Sequence, residues 1–253
     1  MNGVMQLKDI LFYPVGISKS CSYAASFLKI AGIPITDHPT PEITHLLLDI
    51  PSFRTDGKLQ DGSDFCELLR MLPLHIQIFG GNLNTPALKG YSATDLLKDE
   101  IFLAKNALIT AECALQISSA YIYKTFSDSS ALILGWGRIG KHLSNMLLKT
   151  GCKVTVASRN PRDRGLLETF GFRAVDFQQI PAILSDCNIL YNTVPEPTIQ
   201  PSILDRWNKG VIIDLASSPG MLYNEAIIAR GLPGKHAPES AGRLIAQTVL
   251  RLL

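Results

Sequence analysis

The sequence is poorest in the features that would set it apart from ordinary soluble globules. No run approaches the roughly 18 consecutive apolar residues of a membrane-spanning helix, so no membrane partner is expected. The opening stretch, MNGVMQLKDILFYPV, has no long apolar segment behind a basic one, which argues against a secretory signal. Cysteine is sparse and scattered: Cys21, Cys66, Cys113, Cys152 and Cys187 are odd in number, and none forms a Cys-x-x-Cys pair. That argues against a disulfide framework or a thiolate zinc site, and it fits reduced thiols in a cytoplasmic protein. The histidines His38, His45, His75, His142 and His236 are equally dispersed, so no metal is expected. One-sided charge is missing too. With 24 Lys and Arg against 22 Asp and Glu, the formal net charge is +2, which gives no reason to expect a nucleic-acid partner.

What is there is a chain of 253 residues, 46% apolar, long enough for two modest domains with real cores. Short β-rich runs at Ile10 to Val15, Thr44 to Ile50 and His75 to Phe79 are separated by helical patterns such as Cys21 to Ala31. This alternation predicts a small N-terminal α/β domain, flavodoxin-like in layout, over residues 1–91. From Ser92 to about Lys124, apolar residues recur at three- and four-residue steps. They predict a helical connector, placed at 92–130.

A regular series follows over 131–237. Ala131 to Leu134 reads as a buried strand, Ile139 to Lys149 as a helix, Lys153 to Ala157 as a strand, Asp163 to Phe170 as a helix and Phe172 to Val175 as a short strand. Further β runs follow at Ile189 to Thr193 and Val211 to Leu215, and 238–253 reads as a C-terminal helix. The fold class expected for this half is a Rossmann doubly wound parallel sheet.

Gly135-Trp136-Gly137-Arg138-Ile139-Gly140 is a GxGxxG between a strand and a helix. The first glycine permits the turn, the second lets a pyrophosphate approach the backbone, and the third lets the helix pack close to the strand. The helix N-terminus offers free N–H groups and a positive dipole end. Gly135, Gly137, Arg138, Ile139 and Gly140 are therefore expected to bind a dinucleotide. About 20 residues on, an NAD(H) site usually carries Asp or Glu, but the chain reads Ala157-Ser158-Arg159-Asn160, with no carboxylate before Asp163. A hydroxyl and a guanidinium suit a phosphate dianion, so Ser158 and Arg159 point to NADP(H). Asn192-Thr193-Val194-Pro195 and Leu215-Ala216-Ser217-Ser218-Pro219-Gly220 end later strands at the same sheet edge. They place Asn192, Thr193, Pro195, Leu215, Ala216 and Ser217 among the cofactor contacts.

Asp186 to Pro195 (DCNILYNTVP), Ile212 to Gly220 (IIDLASSPG) and Gly231 to Gly242 (GLPGKHAPESAG) resemble the corresponding stretches of the dipicolinate synthase A-subunit family. Asn106 to Glu112 (NALITAE) resembles that family's interdomain helix, with Cys113 where the family has glycine. The resemblance covers about 106–253 well and the first 90 residues in general layout only. It implies oxidation of a dihydrodipicolinate-type intermediate to dipicolinate, beside the synthase's flavoprotein-like B-subunit, in the mother-cell cytoplasm of a sporulating bacterium. A homodimer is left open.

The reaction removes a hydride and a proton, and the substrate brings two carboxylates. Candidate proton-handling residues are His236, Lys235 and Glu112. Candidate substrate contacts are Thr110, Ser217, Ser218, Pro233, Gly234 and Ser240. A D-2-hydroxyacid dehydrogenase is a rival reading, but Ser217-Ser218 stands where those enzymes carry a carboxylate-gripping Arg. A shikimate dehydrogenase-like reading fails in register at Asn84-Thr85-Pro86 and Lys89. A non-catalytic NADP-binding subunit is the third alternative.

Overall fold

The computed structural model describes residues 10–207, 210–218 and 220–253. The chain forms two compact units, Met1–Asn106 together with Pro233–Leu253, and Ala107–Leu232.

In the first unit, strands β1 (Phe12–Pro14), β2 (His45–Leu47), β3 (Gln77–Gly80) and β4 (Ser92–Asp95) form a parallel sheet in the order β1-β2-β3-β4. A parallel bridge from Phe12 to Ile35 lies outside this ladder, so the chain turns back past β1 before reaching β2, as in the flavodoxin-like strand order. Helix α1 (Lys19–Ile30) starts at Ser18, whose hydroxyl accepts from Cys21 N, and buries Ser20, Cys21, Ala24 and Leu28 along one face. Helix α2 (Phe65–Arg70) is capped by Asp64 and adds Phe65, Leu68 and Leu69 to a cluster with Leu46, Leu48 and Ile78.

Ser92–Asp95, expected within the connecting helix, pairs with β3 instead. Its residues are exposed or only half-buried, so this edge strand carries no apolar run to announce it. The connecting helix α3 is accordingly shorter, Glu100–Ser119.

The sheet edge of this unit is closed to ligand anions by its own side chain. Asp49, just after β2, accepts from Ile17 N at 2.8 Å, from Ser18 N at 3.2 Å and from the Ser18 hydroxyl. A Cβ on Gly16 would sit 2.5 Å from Asp49 Oδ1 and 2.6 Å from Cys21 Sγ. The dipole end that such folds offer to a phosphate is thus already met by a carboxylate. Burial, with the Asp49 charge beside it, pushes the Cys21 thiol up to about 12, so it is an inert core group.

The second unit alternates strand and helix from β5 as far as β9. Its elements are β5 (Ser130–Leu134), α4 (Arg138–Lys149), β6 (Lys153–Ala157), α5 (Pro161–Thr169), β7 (Arg173–Val175), α6 (Ile180–Ile183), β8 (Ile189–Asn192), α7 (Pro201–Leu204), β9 (Val211–Asp214) and β10 (Ile227–Ile228). The sheet is parallel throughout, in the order β10-β9-β8-β5-β6-β7. Read from β7, this is the 3-2-1-4-5-6 order of the Rossmann fold, with its reversal between β5 and β8. The central strands are nearly continuous apolar runs because both faces are covered. Leu132, Leu134, Leu190 and Ile212 pack with Trp207, and buried Tyr191 hydrogen-bonds Ser118 of α3 at 2.6 Å. Helices α8 (Leu232–His236) and α9 (Pro238–Leu252) complete the chain.

Candidate functional site

The loop from β5 to α4 has the backbone its glycines require. Gly135 has φ +90°, and a Cβ there would lie 2.7 Å from Thr193 Oγ1. Only glycine meets both demands without strain. A Cβ on Gly140 would collide with the carbonyl oxygen of Gly135, whereas one on Gly137 would meet nothing within 4 Å. Gly137 is also the N-cap residue of α4 and supplies no side-chain cap. The second glycine therefore faces open space over the first N–H groups of α4 at a positive dipole end, which is a fitting cradle for a pyrophosphate. Arg138 and Ile139 follow as the first residues of α4.

At the end of β6 the Ser158 side chain is buried, and its hydroxyl donates to Asp163 Oδ2 at 3.4 Å. Arg159 is exposed and reaches Glu196, with both terminal guanidinium nitrogens 3.2 Å from Oε2. Arg164 is a buttress. It donates to Ser158 O at 2.7 Å, to Arg159 O at 3.0 Å and to Asp176 Oδ2 at 2.8 Å. The Ser158–Arg159 backbone is thereby fixed from below, and the Arg159 guanidinium is left facing outward. Asn160 caps α5 through Arg162 N, and Pro161 occupies the first helical position.

The loops after β8 and β9 are tied to each other by a buried carboxylate. Asp214, fully buried at the end of β9, accepts from Asn192 Nδ2 at 2.8 Å, from Ala216 N and Gly220 N at 3.2 Å and from Met221 N at 3.3 Å. Arg230 lies 3.7 Å from its other side and donates to Ala216 O. Asn192 also ties Val194, with Nδ2 donating to Val194 O at 2.9 Å and Oδ1 accepting from Val194 N at 3.1 Å. The Thr193 hydroxyl donates to Leu134 O at 2.7 Å and packs under Gly135. Ser218 Oγ donates to Pro195 O at 2.8 Å. Leu215 and Ala216 are buried, Ser217 is exposed, and Pro219 lies outside the described residues.

The remaining candidates lie elsewhere. Thr110 is buried on α3 and Glu112 is exposed on it. Pro233, Gly234, Lys235 and His236 belong to α8 within the first unit, where Gly234, Lys235 and His236 are exposed, and Ser240 is exposed near the start of α9. In that unit the end of the family-like stretch has a packing role. A Cβ on Gly242 would sit 2.5 Å from Tyr23 Cβ and 2.6 Å from Ser20 O, so α9 crosses α1 at near backbone contact. Arg243 adds a cation–π contact 5.0 Å from Phe27, and Arg251 bonds Asp99 at 2.7 Å.

Sequence reasoning missed Glu196, Arg164, Asp214 and Arg230. Asp214 could have been noticed as a charged residue closing an apolar strand. The Arg159 to Glu196 contact spans 37 positions and leaves no local pattern.

Residues 102–213 match the family of D-isomer specific 2-hydroxyacid dehydrogenase NAD binding domains. Over 196 residues the chain is 28% identical to the A-subunit of dipicolinate synthase from Bacillus subtilis, covering 72% of this chain and 66% of that protein, just under two thirds of its length. The crystal structure of the dipicolinate synthase A-subunit from Bacillus halodurans superposes with a TM-score of 0.83 at 20% identity, covering 98% of this chain and 99% of the other. The corresponding Bacillus subtilis structure gives 0.79 at 20% identity, covering 100% and 97%. The expected α/β fold with its Rossmann-like sheet is thus found, and the segment holding the glycine loop is an NAD(P)-binding domain. The chain thus shares its fold with the A-subunit of dipicolinate synthase and is similar to it in sequence over most of its length, and residues 102–213 match a 2-hydroxyacid dehydrogenase NAD-binding domain.

Proposed function

We propose that this chain is an NADP(H)-dependent oxidoreductase subunit that oxidises a dihydrodipicolinate-type intermediate to dipicolinate, working with a flavoprotein-like B-subunit in the mother-cell cytoplasm of a sporulating bacterium. One observation carries the reading. The open start of α4 lies in a domain whose second strand ends not in a carboxylate but in Ser158 and an outward-facing Arg159. Bound NADP+ would supply the hydride acceptor.

The chain's own groups do the holding. The N–H groups of α4 take the pyrophosphate, and Arg159 takes the ribose 2′-phosphate with a bidentate fork. Asp214 and Asn192 keep the loops after β8 and β9 in one shape, so that Leu215, Ala216 and Ser217 present fixed backbone and hydroxyl groups. Thr110, Ser217 and Ser218 of the second unit are proposed to hold substrate carboxylate oxygens. His236, Lys235 or Glu112 is proposed to accept the proton; aromatisation favours its loss, so an exposed base is enough.

The test combines the purified chain, NADP+, the dihydro-dicarboxylate and the flavoprotein-like partner, and follows reduced nicotinamide and dipicolinate. The reading requires the two to form in equal amounts. Nucleotide binding without turnover, with that partner present, would instead identify a non-catalytic NADP-binding subunit. A specific observation favours that second reading: among the described residues Glu112, Lys235 and His236 are exposed and none makes a side-chain hydrogen bond or ion pair. Turnover of 2-oxo acids would point to a D-2-hydroxyacid dehydrogenase-like enzyme.

A further inference from the structure

The Arg159 guanidinium is held by a carboxylate from the turn after β8. Both terminal nitrogens lie 3.2 Å from Glu196 Oε2, and the guanidinium carbon sits 5.4 Å from the centre of the Phe177 ring. Both partners sit on or next to tethered backbone. The Arg159 backbone is pinned by Arg164, and Pro195, next to Glu196, accepts from Ser218. The ion pair itself is open to water, with side chains 58% and 64% exposed, and exposed pairs of this kind are easily broken.

We propose that Glu196 moderates the nucleotide preference that Arg159 gives this site. It is an internal carboxylate that occupies Arg159 until a 2′-phosphate replaces it. The proposal rests on the reading of Arg159 as the 2′-phosphate ligand.

Charge and hydrogen-bond direction decide the competition. A phosphate monoester carries roughly −1.5 to −2 charges and three strong acceptor oxygens, so it outcompetes a single carboxylate for a guanidinium fork. Glu196 stays tethered beside the site after displacement, and its charge opposes the newcomer. An unphosphorylated ribose presents a hydroxyl donor instead. For that ligand Glu196 is an acceptor, the role ordinarily filled by a carboxylate at the end of the second strand, where this chain has Ser158. Glu196 therefore weakens NADP(H) and favours NAD(H), the opposite of Arg159. The neighbouring acids are otherwise engaged: Asp163 accepts from Ser158, and Asp176 is paired with Arg164.

The experiment titrates the full chain with NADPH and NADH at low and high salt, in wild type, Glu196→Gln and Arg159→Gln, with melting temperatures as the folding control. Glu196→Gln is expected to tighten NADPH by about three- to tenfold, to leave NADH unchanged or weaker, and to lose much of the gain at high salt as the charge is screened. An NADPH to NADH ratio that is unmoved or lowered in a normally melting Glu196→Gln protein overturns the proposal. The two layers separate cleanly. Arg159→Gln without effect on NADPH would sink the NADP(H) reading itself, whereas an Arg159→Gln loss beside an unmoved Glu196→Gln ratio would sink only the role of Glu196.

Discussion

Gly137 and Gly140 stand in one motif but do different work, and substitution separates them. Gly137 has an ordinary φ of −76° and open space at its Cβ position, so Gly137→Ala is expected to fold normally and to lose at least about tenfold in nucleotide affinity, because the methyl fills the cradle. Gly140→Ala drives a methyl into Gly135 O and is expected to destabilise the protein by about 1–3 kcal/mol, the usual range for overpacking. Thermal melts beside nucleotide titrations check both, and equal behaviour of the two variants would contradict the assignment. The turn and the close packing at these glycines were legible in the sequence because the motif is local and sits between an apolar strand and an amphipathic helix. Arg159 was legible as a missing acid, but its partner Glu196 was not, since nothing near Pro195 marks which strand end it will face. His45 gives a residue-level prediction in the other unit. Stacked 4.8 Å from Phe12, it is pushed by burial down to about 4 from 6.5. Between those values the unfolded chain binds the extra proton, so stability falls as the pH is lowered through that window, by up to about 3 kcal/mol. His45→Gln is expected to flatten that part of the curve of unfolding free energy against pH, and an unchanged slope would count against it.

Among the elements, the β5-α4-β6 unit was read almost residue for residue, Lys153–Ala157 included. Strands buried on both faces spell continuous apolar runs, and such runs need no tertiary information. The edge strand Ser92–Asp95 failed for the complementary reason. Half-exposed, it has no apolar side to show, and Leu96, Leu97 and Ile101 just beyond it carry a helical spacing that absorbed it into the connector. Helices α9 and α1 were both found as helices, but their packing on each other was not. The crossing of α9 on α1 depends on Gly242, 222 positions from Ser20, and a glycine reads in sequence as a weak point of a helix rather than a contact. Gly242→Leu is expected to force the two helices apart and to cost about 1–3 kcal/mol or more in chemical denaturation. A Leu variant as stable as wild type would mean that the close crossing is not formed.

At the scale of the whole molecule, the fold divides its ligand-binding capacity unevenly. The first unit has a flavodoxin-like strand order, yet Asp49 occupies the dipole end where such a fold would take a phosphate. The second unit leaves the corresponding place open at Gly137 and carries Arg159 just past the end of the adjacent strand β6. Composition and alternation of elements were enough to foresee two α/β layers. They could not show which of the two sheet edges is filled from within, because Asp49 and Gly16 acquire that relation only when β1 and β2 pair. A phosphorylated dinucleotide is therefore expected at the second edge and nowhere else. Isothermal titration of the intact chain with NADPH and with NADH tests this most directly. NADPH should bind at one site at least about tenfold more tightly, consistent with one extra charge-assisted contact, and Arg159→Gln should erase the difference. Equal affinity for the two nucleotides, or heat from neither, would contradict it.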